Sequence, residues 1–312
     1  MAGSDSIRVF APATVANVTC GFDVLGFAVN SPGDEVVVRK TNDNKITIKA
    51  IHGDGGRLTL DPTMNTVSIP VIQFLEKLGI NQGLEIELFK HMPLGSGLGS
   101  SAASSVAGVF AVNKLLGLNQ TPNQMLPFAM EGERIACGAA HADNVAPCLF
   151  GGFVLVRSYD PLEIVTINTP EGMYCSLVHP HIEVQTKDAR NVLPKEISLN
   201  KAVMQWGNVA GLVVGLMKSD FGLIGRSMQD VIVEPARAGL IAGFYSVKES
   251  AMNAGAIGAG ISGSGPSLFA LSDSVDKANK IAEAMAAAFA KIGIGSETYV
   301  SEVNQKGPIV LE

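Results

Sequence analysis

Length, composition and charge already restrict what this chain can be. It has 312 residues, of which 47% are hydrophobic and 17% charged, and its mean hydropathy is +0.28. Such a chain can bury a large core, so its composition excludes wholesale disorder and suits one large domain or two moderate ones. The formal net charge is −6 and no block of Lys and Arg occurs, which argues against a nucleic-acid partner.

Targeting and redox signals point to a cytoplasmic protein. The residues MAGSDSIRVF lack the basic stretch and apolar run of a signal peptide, and no apolar run reaches the roughly 18 residues of a membrane span. The cysteines at 20, 137, 148 and 175 form no CxxC pair, so neither a disulfide framework nor a zinc site is expected. We therefore expect a reducing cytoplasm and no membrane partner.

The first half of the chain mixes strand and helix signals. Period-two alternation of apolar residues predicts strands, and longer runs between turn residues predict helices. Thr121 is the expected N-cap of the helix at 121–138, with Pro122 as its first residue. In chain order we expect strands at 7–15, 33–40 and 45–51, a helix at 65–80, a strand at 83–92, helices at 100–116 and 121–138, and a strand at 151–158.

The second half continues in the same mixed way. We expect strands at 173–184 and 296–303, helices at 198–220, 236–255 and 273–293, and a glycine-rich segment with strand-like ends at 256–271. Because strands and helices do not alternate strictly, an α+β fold is favoured over a doubly wound sheet. We place the boundary between two domains, 1–168 and 169–312, within the stretch DPLEIVTINTP.

The stretch HMPLGSGLGSSAASS resembles a loop that could hold phosphate. Gly95, Gly97 and Gly99 follow a predicted strand and precede a predicted helix, whose first N–H groups are unpaired and carry a positive dipole. Glycine permits positive φ and close approach of a ligand to the backbone. Ser96, Ser100 and Ser101 add hydroxyl groups, one of which could ligate magnesium. For the glycines alone, a flexible turn with close helix packing remains the alternative.

Other phosphate fingerprints do not fit this chain. The P-loop requires a lysine directly after its last glycine, and protein kinases require H-R-D and D-F-G; the sequence has none of these. A literal G-x-G-x-x-G does occur at 258–263, but Pro266 and strand-like residues follow it. A dinucleotide site needs a helix there, so this motif does not support a dehydrogenase.

Three stretches resemble the motifs of the GHMP kinases. PLGSGLGSSAA resembles their signature loop, while APATVANVTCGFDVLGFA and GAIGAGISGSGPSLFAL resemble their first and last motifs in the matching order. The resemblance spans essentially the whole chain. Four details, NVTCGFDVLGFA, HADNVAP with FGGF, TKDARNVLP and EPARAGLIAGF, resemble the homoserine kinase branch of that superfamily.

The resemblance implies a fold, a reaction and a nucleotide site. The fold would combine an N-terminal domain like domain 2 of ribosomal protein S5 with a ferredoxin-like C-terminal domain, in a homodimer. The reaction would be ATP-dependent phosphorylation of the side-chain hydroxyl of L-homoserine to O-phospho-L-homoserine, for threonine synthesis. For Lys90, a solvated surface lysine is the alternative to a nucleotide contact. The implied nucleotide-binding residues are Asn65, Lys90, Pro93, Leu94, Gly95, Ser96, Gly97, Leu98, Gly99, Ser100 and Ser101.

One acidic residue of the helix at 121–138 is expected to face inward. The apolar stripe of this helix is formed by Leu126, Met130 and Cys137. Glu133 lies on the same face, whereas Glu131 points elsewhere. A carboxylate on a buried face needs a partner, which could be a metal or a buried cation. The resemblance implies a magnesium ion bound by Glu133 and Ser101.

An amino-acid acceptor needs an anion for its ammonium and cations for its carboxylate. Arginine suits a carboxylate through its bidentate fork. By resemblance, Asn17 and Asp23 bind the ammonium, and the carboxylate is bound by Arg190 and Arg237 near His141 and Thr186. From the residues alone, the arginines could instead form surface ion pairs. Asp23 could equally cap a helix formed by DVLGFAVN.

The position that several GHMP kinases fill with an aspartate base is Asn144 here. An amide cannot accept a proton at neutral pH, so Asn144 would orient the acceptor hydroxyl. Catalysis would then rest on positioning and charge neutralisation, with Asn144 and Glu133 as the catalytic residues. Two alternatives remain: another GHMP kinase acting on mevalonate or a sugar, and a non-catalytic ligand sensor on the same fold.

Overall fold

The computed structural model describes residues 5–138 and 140–311. The strands are β1 Ser6–Ala16, β2 Leu25–Thr41, β3 Ile46–His52, β4 Gly83–Phe89, β5 Phe153–Tyr159, β6 Leu162–Ile167, β7 Tyr174–Pro180, β8 Gly258–Ile261, β9 Leu268–Ser272, β10 Ser296–Glu302 and β11 Ile309–Val310. The helices are α1 Ser68–Leu78, α2 Ser100–Leu115, α3 Pro122–Cys137, α4 Ala142–Phe150, α5 Thr186–Asn191, α6 Leu199–Lys218, α7 Phe221–Ser227, α8 Val233–Arg237, α9 Phe244–Asn253 and α10 Val275–Lys291.

The first sheet contains seven strands and is organised around β2. Strands β11, β1, β2, β4 and β3 are neighbours in that order, and β5 pairs with β2 and carries β6. Only β3 and β4 run parallel among these pairs. Phe27, Phe74 and Phe153 are fully buried in the core beneath the helices α1 to α4. The Phe27 and Phe153 rings stack with centroids 4.6 Å apart.

The second sheet has the ferredoxin-like arrangement expected for the C-terminal domain. Its four strands are all antiparallel and lie in the order β10, β7, β9, β8. Along the chain, helices separate β7 from β8 and β9 from β10, which gives the β-α-β-β-α-β order of that motif. Phe244, Met285 and Phe289 fill its separate core. The α+β prediction is therefore confirmed.

Two predicted helices require correction. The stretch DVLGFAVN forms no helix, because Leu25 onward belongs to β2, where Phe27 pairs with Val15 of β1 and with Phe153 of β5. The helix predicted at 236–255 is broken into α8, a short 3-10 turn and α9. The break runs from the 3-10 turn Ala238–Leu240 through the extended Ile241 to Gly243, whose φ of 80° lies outside the helical region. The pattern also gave no sign of α4, α5, α7, β6 or β11.

The chain passes from the first sheet to the second between Ile167 and Tyr174. A boundary after residue 168 stays a prediction, and β11 returns to the first sheet beside β1. Within residues 5–138 and 140–311, no helix is long and apolar enough to cross a membrane.

Candidate active site

A cavity of about 420 Å³ is lined by the glycine–serine loop, by Thr186 and Arg190 of α5 and by Arg237 at the end of α8. All the site residues predicted from the sequence line this cavity except Asn65, Pro93 and Leu98. Leu98 is a fully buried core residue. The Asn65 side chain serves the backbone, because it donates to the Thr59 carbonyl at 2.7 Å and accepts from the Val67 N–H at 3.0 Å.

The glycines of the loop have the left-handed conformation that the sequence suggested. Gly95, Gly97 and Gly99 have φ values of 70°, 77° and 70°. A Cβ on Gly97 would lie 2.5 Å from the Ser262 carbonyl oxygen, and one on Gly99 would lie 2.1 Å from Thr14 Oγ1. Both positions therefore require glycine for conformation and for space.

The C-terminal glycine motif supports the loop from the second domain. Ser262 Oγ donates to the Gly97 carbonyl at 2.8 Å, and the Ser267 N–H donates to the Ser96 carbonyl at 3.2 Å. After Gly263 the chain turns directly into β9, with no helix at that point. The dinucleotide interpretation of this motif therefore has no structural basis, and its glycines allow close packing of two loops.

Lys90 is a buried cation at the end of β4 and not a solvated surface lysine. Its side chain is 2% exposed and forms a short ion pair with the fully buried Asp34. Lys90 Nζ also donates to the Ser100 carbonyl at 2.9 Å and to Ser104 Oγ at 2.8 Å. Burial lowers the pKa of the ammonium, and the Asp34 carboxylate opposes that shift. Asp34 also accepts from Ser100 Oγ at 2.8 Å, so this network fixes the N-terminus of α2.

Ser101 and Glu133 meet at the cavity wall as the sequence predicted. Ser101 Oγ donates a short hydrogen bond to Glu133 Oε1. Glu133 is 6% exposed, whereas Glu131 forms an ion pair with Arg134 at 3.0 Å on the surface. In the part of the chain that the structure describes, no cluster of three or more His, Cys, Asp or Glu residues could hold a metal. One carboxylate and one hydroxyl nevertheless suit magnesium, which commonly completes its shell with phosphate and water.

The end of the cavity away from the glycine–serine loop contains an aspartate and two arginines. Arg190 donates to both oxygens of Asp23, at 3.1 Å and 3.3 Å. Arg237 is 3% exposed and donates to the carbonyls of Ala189 and Gly263, each at 2.9 Å. Burial is the main cause that lowers the pKa of Arg237 to about 10, so the guanidinium remains charged at neutral pH. Arg190 therefore forms a partly exposed ion pair, at the cavity wall, whereas Arg237 forms no ion pair with a residue that the structure describes.

Asp23 lies in a left-handed turn that joins β1 to β2. Asn17, Val18, Thr19 and Asp23 all have φ between 41° and 73°, which is unusual for residues other than glycine. Asn17 stabilises this turn, because its Oδ1 accepts from the Asp23 N–H at 3.1 Å and its Nδ2 donates to the Gly263 carbonyl at 2.8 Å. Asp23 is followed by a strand and caps no helix.

Asn144 is oriented by a residue that the sequence analysis did not identify. Thr14 is fully buried, and its Oγ1 donates to Asn144 Oδ1 at 2.8 Å. Asn144 Nδ2 has no hydrogen-bond partner among the described residues, so it can meet a ligand in the cavity.

Two buried polar atoms at the cavity have no hydrogen-bond partner in residues 5–138 and 140–311. They are Ser96 Oγ in the glycine–serine loop and His141 Nε2 at the N-cap of α4. Burial lowers the pKa of His141, which therefore is neutral near pH 7. Buried polar atoms without partners are rare in folded proteins, and at a cavity they indicate a ligand that supplies the missing bonds.

Several cavity residues were missed because nothing in their local pattern marks them. Phe22 lies against both arginines, with its ring centroid 5.7 Å from Arg190 Cζ and 5.1 Å from Arg237 Cζ. Asp34 does not line the cavity but binds Lys90, which does; it stands between Gly33 and Glu35 in β2, so the local pattern gave no sign of its burial. Leu58, Met64 and Ile135 also line the cavity.

Comparisons with known proteins agree with this geometry. The family models "GHMP kinases N terminal domain" and "GHMP kinases C terminal" match residues 65–152 and 212–291. Proteins named homoserine kinase from Chloroherpeton thalassium and Chlorobium phaeovibrioides are 54% and 52% identical, covering 97% and 98% of this chain and 98% and 99% of their own lengths. A crystal structure of homoserine kinase from Cytophaga hutchinsonii matches with a TM-score of 0.97 and 64% identity, covering 100% of this chain and 99% of that one. The chain belongs to the GHMP kinase family and, within it, to the homoserine kinases.

Proposed function

We propose that this protein transfers the γ-phosphoryl group of ATP to the side-chain hydroxyl of L-homoserine, giving O-phospho-L-homoserine. The observation that carries the proposal is one cavity with two chemically distinct ends. The glycine–serine loop and the N-terminus of α2 suit phosphate, and the end with Asp23, Arg190 and Arg237 suits an amino acid. A sugar or mevalonate lacks the ammonium that would use Asp23.

Each residue has a role in this proposal. The loop and Ser96 bind phosphate oxygens, while Arg190 and Arg237 bind the acceptor carboxylate, assisted by His141 and Thr186. Asp23 binds the ammonium, and Asn17 holds the turn that presents Asp23. Asp23 and Arg190 can bind the acceptor while they pair with each other. A carboxylate has about four acceptor positions and a guanidinium five donors, so each group keeps hydrogen-bonding capacity for the ligand.

Charge neutralisation and positioning would drive the transfer. Glu133 and Ser101 would hold a magnesium ion, which when bound neutralises charge on the phosphate oxygens. Asn144 orients the acceptor hydroxyl by a hydrogen bond from its Nδ2 group. Because an amide cannot take a proton at neutral pH, the hydroxyl proton passes to an oxygen of the transferred phosphoryl group.

An ADP-release assay tests the proposal. The acceptors are L-homoserine, L-serine, L-threonine, mevalonate and galactose, each with ATP and Mg²⁺. Glu133→Gln is compared with Glu131→Gln, which changes a surface carboxylate of the same helix. We expect turnover with homoserine, lost in Glu133→Gln and kept in Glu131→Gln. Turnover with mevalonate or galactose alone would contradict the acceptor assignment, and ATP binding without any turnover would favour the sensor.

Two broader features belong to the same proposal. We expect a cytoplasmic protein, and the described cysteines Cys20, Cys148 and Cys175 are buried free thiols, which a reducing compartment preserves. We also expect a homodimer, which light scattering of the purified protein would test.

A further inference from the structure

A buried carboxyl group at the acceptor end has no role in the reaction described above. Asp143 is the second residue of α4, lines the cavity beside Asn144 and is 4% exposed. Its carboxyl accepts no hydrogen bond from any other residue in the described ranges. A buried acid without such bonds is costly, so its retention at a ligand cavity calls for a reason.

The groups that face Asp143 come from five elements. Asp23 in the turn before β2 and Glu133 of α3 raise its pKa, and Arg190 of α5 lowers it. Arg237 of α8 and Tyr159 of β5 are also within electrostatic reach of Asp143. Burial is the largest cause, and together these groups raise the pKa of Asp143 to about 7. In the ligand-free cavity much of Asp143 is therefore uncharged at neutral pH.

A charge count shows what the acceptor site lacks. Asp23 and Arg190 neutralise each other through their bidentate pair. Arg237 then remains as the uncompensated cation, and the acceptor carboxylate neutralises it. The ammonium of the same acceptor brings one more positive charge into a largely buried space. Asp143 is the acid at this end that no described cation pairs with, and an ammonium beside it would favour its ionised form.

We propose that Asp143 is a second carboxylate ligand of the acceptor ammonium, which makes it a residue that selects α-amino acids over simple alcohols. This inference rests on the proposed function, because it assumes an amino-acid acceptor. The charge of Asp23 is already paired with Arg190. Asp143 instead supplies a negative charge that forms when the ammonium binds. An alcohol that has a carboxylate and no ammonium would gain no binding affinity from Asp143.

The test compares L-homoserine with 4-hydroxybutanoate, which has the same hydroxyl and carboxylate and no ammonium. Asp143→Asn keeps the shape and removes the charge, and Asp188→Asn is the control, since Asp188 is an exposed residue of α5. We expect Asp143→Asn to raise the KM for homoserine by roughly 10- to 100-fold, the loss of one charge-assisted contact. The KM for ATP and the KM or inhibition constant for 4-hydroxybutanoate should stay within about twofold in both variants.

The outcomes separate this inference from the proposed function. If the wild type does not phosphorylate homoserine, the proposed function fails. If it does, and Asp143→Asn leaves the homoserine KM unchanged or weakens both acceptors equally, only the Asp143 assignment fails. Calorimetry of the wild type in two buffers at pH 6.5 gives a readout that does not depend on the variant folding. Homoserine should release a proton on binding and 4-hydroxybutanoate should not; equal proton release would overturn the assignment.

Discussion

Gln205 of α6 donates a hydrogen bond of 3.0 Å to Asp230 and thereby links the two segments that carry Asp23 and Arg237. The same amide donates to the Cys20 carbonyl at 2.8 Å, in the turn that carries Asp23. Asp230 in turn accepts from the Val233 and Glu234 N–H groups at 2.9 Å and 2.8 Å, at the start of the helix that ends in Arg237. The turn that carries Asp23 and the helix that carries Arg237 are thus both tied to one side chain.

We therefore expect Gln205→Leu to disturb the acceptor site. The variant removes both donor bonds, so the Cys20 carbonyl loses this partner and Asp230 keeps only its backbone donors. The Val231 N–H also loses its bond to Gln205 Oε1, and together these losses should lower the free energy of unfolding by about 1–3 kcal/mol. The KM for homoserine should rise at least several-fold, with the KM for ATP nearly unchanged. Asn208→Leu is the matched control on α6, since Asn208 makes one exposed bond to the Gln229 carbonyl. An equal rise of both KM values would contradict a specific link to the acceptor site.

The buried pair of Lys90 and Asp34 should respond very differently from its surface neighbour. Asp34→Asn leaves a buried ammonium without its counter-charge, and we expect a loss of about 3–5 kcal/mol in the free energy of unfolding. Glu35→Gln breaks the partly exposed pair with Arg8, measured at 2.7 Å, and should cost less than about 1 kcal/mol. Urea denaturation of both variants measures the difference. Similar losses of unfolding free energy in Asp34→Asn and Glu35→Gln would show that burial does not strengthen the contribution of the Lys90 pair to stability.

Sequence reasoning succeeded where local pattern and chemistry coincide. The glycine–serine loop follows a strand and opens a helix, so its position and its positive φ values could be expected from residue types alone. The helical stripe placed Glu133 inward for the same reason, and Ser101 was found at its side. The capping residues of α3 were also identifiable, because Thr121 and Pro122 act through short-range geometry.

Other features depend on contacts between segments that are distant in the sequence. Residues 25–30 look helical by composition, but pairing with β1 and β5 makes them a strand. Thr14 and Asn144 are 130 residues apart, so no local pattern could show that one orients the other. Arg190 and Asp23 were assigned to opposite ends of one ligand, and their mutual ion pair depends on the tertiary fold.

Gly97→Ala should destabilise the protein by more than the backbone strain of a side chain at positive φ. Its φ of +77° disfavours any side chain, and the new Cβ would meet the carbonyl oxygens of Ser262 and Gly265 at 2.5 Å and 2.7 Å. Gly55→Ala is the matched control, because Gly55 has φ of +64° and open space around it. We expect about 1 kcal/mol of destabilisation in Gly55→Ala, from strain alone, and a larger loss with a raised KM for ATP in Gly97→Ala. Equal effects in the two variants would show that the contact with the second domain is unimportant.

The stability of the ligand-free protein should fall as Asp143 ionises. Its pKa is about 7 in the folded chain and near 3.8 in the unfolded chain. Because the folded state holds the proton more tightly, this contribution is complete below pH 3.8 and is lost as the pH rises through 7. The shift of about 3 units corresponds to at most about 4 kcal/mol.

Other acids titrate in the same range, so the measurement is the difference between the wild type and Asp143→Asn. Urea denaturation from pH 4 to pH 8 should show the wild type losing free energy of unfolding relative to the variant as the pH rises, since the amide carries no proton to lose. Homoserine at saturating concentration should reduce this loss, because its ammonium would stabilise the ionised carboxylate. A difference that stays constant with pH would mean that Asp143 titrates normally in the fold. The cavity would then already stabilise its charge before any ligand enters.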